Sequence, residues 1–303
     1  MRMKRAISLG ATLILLTGCG STPESAVTIA DTDVHSAVVS INEVPKFQRI
    51  VALANGSAEI IDSLGMKSYL VGRDIASTDE SLKSIPIVTS GHQVVAEKII
   101  ALNPDLVIID SSVGPSQALQ SLKSAKIKIA TIEEVWTVGE IAKKVRSVAD
   151  AIGAPKSGEA LAQRISADIN ALKKSVQGSP KIAFLYLRGG NSIYLLGGKG
   201  SGADSLATTL GAVDVGSLIS SKPFVALTSE SFAEQRPDIL LVMIKGLESV
   251  GGVSGLVELP GIAQTPAGKN RRVIAVDDSL LLSFGPRTPD LLAQLAEAIK
   301  QVA

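Results

Sequence analysis

The chain has 303 residues, 46% of them hydrophobic and only 3% aromatic, with 30 Lys+Arg set against 29 Asp+Glu. That length is ample for a real core in about two domains, and so apolar a composition excludes a disordered chain. A net charge of +1 gives no basic footprint for nucleic acid, and a single cysteine excludes an internal disulfide and any Cys-based zinc or iron–sulfur site.

The amino terminus accounts for that cysteine. Arg2, Lys4 and Arg5 precede an apolar run from Ala6 to Leu16, too short to span a bilayer, which leads into Leu16-Thr17-Gly18-Cys19. This arrangement resembles a bacterial lipoprotein signal. Residues 1–18 would be removed and Cys19 lipidated, anchoring the chain on the outer side of the cell membrane. Residues 19–47, rich in Ser, Thr, Asp, Val and Ala without a sustained period, read as a flexible tether with a short strand in Ala37–Ile41. His35 reads as a solvated histidine within it.

Beyond the tether one plan occurs twice. The short apolar strand Arg49–Leu53 is followed by Ala101–Ile109, and the strand Lys181–Tyr186 by Glu234–Met243. Pro104-Asp105 and Pro237-Asp238 each end a helical stretch, because proline disfavours helix in the residue before it, and each opens a continuous apolar run. Such runs suit strands buried on both faces of a parallel sheet. A third strand closes each half, Lys126–Thr131 and Arg272–Val276. The expected architecture is α/β, with an N-terminal lobe over 48–137 and a C-terminal lobe over 179–303. Between them, 138–178 reads as one long interlobe helix. Leu161, Ile165, Ile169, Leu172 and Val176 form its apolar stripe, and Gly178-Ser179-Pro180 stops it.

The phrases GSAEIIDSLGMKSYLVGRD and LLGGKGSGADSLATTLGAVDV, together with the lipoprotein signal and the paired lobes, resemble the substrate-binding lipoproteins of iron–siderophore, cobalamin and haem ABC importers. Within that group, SGHQVVAEKIIALNPDLVI, LYLRGG and GPRTPDLLAQL are most similar to the haem-binding branch. The resemblance implies a class III periplasmic-binding-protein fold: two Rossmann-like lobes with parallel sheets, joined by a single long helix. It also implies haem as the transported ligand, an ABC permease with its ATPase as partners, and upstream haem-donor surface proteins as further candidates. Ferric siderophore or cobalamin is the alternative cargo.

In two-lobed α/β proteins ligands sit at the carboxyl ends of the strands. His92 follows the turn Thr89-Ser90-Gly91 and is the one histidine in the folded part of the chain, which makes it a candidate axial ligand to haem iron. Tyr186 ends a strand, and Arg188, two residues on, projects from the same face. Tyr186 is the second candidate ligand, since tyrosine is an established ligand of ferric haem, and Arg188 is the group that would favour its phenolate. Tyr194 is the rival tyrosine, with apolar flanks that suit a core. Met243, ending the second Pro-Asp strand, is an auxiliary haem contact. Trp136, Phe224 and Phe284 are candidates to cover the porphyrin faces.

In the resembled family one acid per lobe engages arginines of the permease. Glu59, expected exposed on a helix at the cleft rim, fits in the first lobe, and Asp204 is nearest in the second, with Ser205 as the competing position. Enzyme signatures are missing from the sequence: no dinucleotide fingerprint, phosphate-binding loop or nucleophile elbow is present. One histidine in the folded part of the chain is too few for a manganese or zinc carrier. A tethered adhesion protein without a small ligand is the reading from a different class.

Overall fold

The computed structural model describes residues 26–90, 93–188 and 193–303. In chain order its first strands are β1 (Val27–Ile29), β2 (Ile50–Ala52), β3 (Leu70–Arg73), β4 (Thr89–Ser90), β5 (Gln93–Val94), β6 (Leu106–Ile109) and β7 (Lys128–Thr131). There follow β8 (Lys181–Arg188), β9 (Ile193–Gly197), β10 (Val213–Asp214), β11 (Phe224–Val225), β12 (Ile239–Met243) and β13 (Val273–Val276).

Two sheets form. The first lobe has the order β3-β2-β6-β7, every pair parallel. The second has β1-β13-β12-β8-β9-β11, parallel from β1 to β8 and antiparallel beyond, with β10 pairing β8. Every residue of β6 and of β12 is buried, as continuous apolar strands covered on both faces should be. The two Pro-Asp pairs also do the same local job. Asp105 accepts the amides of Gln48 and Arg49, and Asp238 accepts that of Lys181. Each aspartate thereby ties the start of the lobe's first strand to the entry of its Pro-Asp strand.

The crossing between lobes is made by one long helix, Pro155–Leu172, with Leu161, Ile165 and Ile169 buried. The stretch ahead of it belongs to a separate helix, Ile141–Ile152, which folds back and packs along the crossing helix. Gly153 is the break. Its φ of +82° suits glycine, and a Cβ there would meet the Lys46 Cβ at 2.7 Å. The single helix expected over 138–178 is therefore a helical hairpin, ending at Leu172 before Lys174 turns left-handed.

The expected tether is also corrected. From Ala26 onward the chain is structured: β1 adds to the free edge of β13, and Ile29, Val34, Ala37 and Phe47 are buried. No strand forms at 37–41. Instead this segment runs as a strap from the second lobe to the first. The Ala37 amide donates to the Pro286 carbonyl, Val39 to Ser63 and Lys46 to Ile152, while the Glu43 carboxylate accepts the amide and hydroxyl of Ser157. His35 is exposed beside Asp290. No helix among the described residues is long and apolar enough to cross a membrane. Cys19 and the rest of the signal lie outside the described residues.

Candidate functional site

The carboxyl ends of the parallel strands of both lobes converge on one cavity of about 610 Å³, within the ~300–1,000 Å³ range of small-molecule and cofactor sites. Leu53, Asp74 and Asp110 follow β2, β3 and β6 into it from the first lobe. Tyr186, Met243 and Asp277 enter it from β8, β12 and β13 of the second. This is where open α/β sheets present loops and helix starts to a ligand.

Tyr186 and Met243 stand side by side. The register pairs Val242 with Leu185, so the next residue of each strand falls at the cavity edge on neighbouring strands. The Tyr186 hydroxyl accepts two hydrogen bonds from Arg188, from Nε at 3.3 Å and Nη2 at 3.2 Å. The guanidinium lies 5.3 Å from the ring centroid, and Phe224 packs on the same ring at 5.6 Å between centroids. The phenol is thus half-buried, packed against an aromatic ring and hydrogen-bonded by a guanidinium.

Tyr194 is a core residue. Its side chain is buried, its ring meets Phe232 edge-on, its hydroxyl donates to the Pro260 carbonyl at 3.0 Å, and burial pushes the phenol above its ordinary value. Of the aromatic candidates, Trp136 lines the cavity and meets Phe284 edge-on, whereas Phe284 itself is buried. His92 lies outside the described residues. The ribbon β4–β5 that flanks its position reaches the cavity through Thr89 and Val94.

Among the charged residues of the walls, carboxylates outnumber cations: Asp74, Asp110, Glu134, Asp277 and Asp278 line the cavity against Lys144 and Lys245. Burial pushes the Asp74 carboxyl up despite its bond from the Ser77 hydroxyl. Asp110 accepts the Asn55 amide at 2.8 Å and the Ser112 hydroxyl at 2.6 Å.

Lys144 had no signal in the sequence beyond its place in a helix. Its buried ammonium donates to the carbonyls of Ser283 at 2.7 Å and Phe284 at 3.1 Å, and burial brings it down to about 8. These bonds hold Phe284, whose φ of +40° is a strained setting for an aromatic residue, at the interlobe turn.

The docking acids differ from expectation. Glu59 is not on an exposed rim: it is 1% exposed and ion-paired with Arg287, which also binds Asp31 of the strap. The helix Ser57–Ser63 does turn Ile60 and Ile61 into the core, but it points Glu59 inward as well, toward a cation that local spacing could not reveal. Burial raises this carboxyl to about 7, with Arg287 opposing the shift. Asp204 is half-buried and accepts the amides of Gly200 and Gly202, holding the glycine loop ahead of its helix. Ser205 is engaged too, accepting the Val138 amide.

The likenesses to known proteins follow the same lines. A model of the periplasmic binding protein family matches residues 50–280. The ABC transporter substrate-binding lipoprotein YvrC of Bacillus subtilis is 25% identical over 98% of this chain and 98% of its own. The vitamin B12-binding protein of Vibrio campbellii is 26% identical over 67% of this chain and 74% of its own. Among solved structures, the apo form of the periplasmic haem-binding protein RhuT from Roseiflexus sp. RS-1 superposes with a TM-score of 0.77 at 37% identity. It spans 84% of this chain and 98% of its own. Strands that end in one interlobe cavity, a helical crossing and a family match over most of the chain agree, and the chain belongs to the periplasmic binding protein family, a family of substrate-binding transport proteins.

Proposed function

We propose that this protein captures ferric haem between its lobes, with His92 and Tyr186 as axial ligands, and delivers it to an ABC permease and its ATPase. The observation that carries the reading is the Tyr186 phenol, placed at the cavity edge beside Met243 and gripped twice by Arg188. A phenol oxygen is a hard donor suited to ferric iron, and a guanidinium fixed on that oxygen favours the anionic form that binds it. Met243 supplies an apolar, polarisable contact for the macrocycle. The likeness to RhuT supports haem over the other cargoes of the family. The carboxylate-rich walls disfavour a strongly anionic ferric siderophore, whose charge they would repel. Cobalamin is the second reading, favoured by the B12-binding relative.

The anchor belongs to the same proposal: lipidation of Cys19 would hold the domain at the outer face of the cell membrane, with upstream haem donors within reach. Asp204 remains a candidate permease contact, whereas Glu59, sequestered with Arg287, does not. The test is a spectroscopic titration of the purified apo-protein with hemin and, separately, with cyanocobalamin. A sharpened Soret band saturating at a fixed ratio, lost in the His92→Ala, Tyr186→Ala double variant, is the expected result. Saturable cobalamin binding without a hemin response overturns it.

A further inference from the structure

Lys245 is distinct among the cations near the cleft. Of the two lysines lining the cavity, Lys144 is buried and committed to two carbonyls, and Arg188 is committed to the Tyr186 oxygen. Lys245 is exposed and lines the cavity. Among the described residues its ammonium makes no hydrogen bond or ion pair. It sits in the first turn of the helix Ile244–Ser249, two residues beyond Met243 and at the same end of the sheet as the Tyr186 phenol. Its backbone is fixed by its amide, which donates to the Asp278 carboxylate at 3.4 Å. Acids line both sides of the cavity, Asp74, Asp110 and Glu134 from the first lobe and Asp277 and Asp278 from the second. Among the described lining residues, Lys245 is therefore the exposed cation against which a ligand's own carboxylate can be set.

We propose that Lys245 is the carboxylate-recognition residue of the cleft, taking a peripheral propionate of the macrocycle and so fixing which edge of it faces the second lobe. The inference rests on the haem reading and deepens it: the cargo is selected as a porphyrin that bears free carboxylates, not only as an iron chelate. The ammonium on its flexible stem is a point charge with rotatable donors, suited to a carboxylate that arrives at varied angles. The Asp278 carboxylate, which accepts the Lys245 backbone amide, is close enough for its charge to oppose the contact, which limits its strength and leaves it sensitive to the ligand's charge.

The experiment compares hemin with its dimethyl ester, which keeps the iron and ring but has no free carboxylate. The wild type, Lys245→Ala and Lys245→Arg proteins are each titrated with both. Lys245→Ala should bind hemin about three- to tenfold more weakly, the range of a partly screened charge contact, while ester binding stays within about twofold. Lys245→Arg should restore hemin binding. Equal losses for hemin and ester, or no loss for either, overturn the assignment of Lys245. Failure of the wild type to bind hemin at all overturns the haem reading instead, and the two outcomes are read from different samples.

Discussion

The phenol of Tyr186 and the guanidinium of Arg188 act as one unit, because the same two hydrogen bonds that orient the oxygen also place a charge on it. With Tyr186 as the proposed iron ligand, Tyr186→Ala should remove most hemin binding, since metal ligation would outweigh surface contact around a flat ring. Arg188→Ala should leave a weaker, spectrally altered complex, because the donor oxygen survives without the charge that favours its anion. Soret titrations of both variants check this, and an unchanged Arg188→Ala spectrum would detach the guanidinium from the ligand. Tyr194→Phe is the matched control. It removes the 3.0 Å bond to the Pro260 carbonyl, a contact of about 1 kcal/mol, and should lower the melting temperature slightly with hemin binding intact.

At the scale of elements, the strap is the least expected part of the fold. β1 is only three residues long, and it is held by parallel pairing to β13 and by the burial of Ile29. Ile29→Ala should cost about 2 kcal/mol or more through a cavity at the sheet edge, and hydrogen exchange should show β1 opening before β13. Protection of β1 unchanged in that variant would mean the strap is held from elsewhere. The sequence made the Pro-Asp strands legible because a proline boundary and a fully apolar run are local signals, and Tyr186 with Arg188 because alternation along one strand fixes a shared face. It hid β1 because Val27-Thr28-Ile29 is a strand only by virtue of residues at 274–276. It blurred the helical hairpin for a different reason. Val145, Val148 and Ile152 before the turn carry the same apolar pattern as Leu161, Ile165 and Ile169 after it, and the reversal is marked by Gly153 and by Pro155, the first residue of the crossing helix.

At the scale of the whole molecule, Arg287 is where three parts of the chain meet: Asp31 from the strap, Glu59 from the first lobe, and the turn of the second lobe that carries the arginine itself. Asn55 adds a bond from the first lobe to the Leu282 carbonyl of the same turn. Removing Arg287 would leave Glu59 buried with no counter-charge, so Arg287→Ala should destabilise the fold by about 3–5 kcal/mol in urea denaturation, more than its surface contacts could account for. The same junction makes stability depend on pH. Glu59 faces Arg287, with Asp74, Asp79 and Lys144 acting on it from neighbouring elements, and its carboxyl is raised from an ordinary 4.5 to about 7. Between those values the folded chain keeps a proton that the unfolded chain releases, so stability falls as pH climbs from about 4.5 to about 7 and levels beyond. Lys144 acts in a separate window with the opposite slope. Its value drops from 10.5 to about 8, the unfolded chain binds the extra proton there, and stability rises with pH between the two. Glu59→Gln keeps an acceptor for Arg287 but cannot titrate. Its denaturation free energy, measured at intervals from pH 4.5 to 10.5, should lose the decline attributable to Glu59 between 4.5 and about 7, while the rise above about 8 persists. A variant that retains the full wild-type decline would show that another acid governs it and that the Glu59 carboxylate is charged throughout.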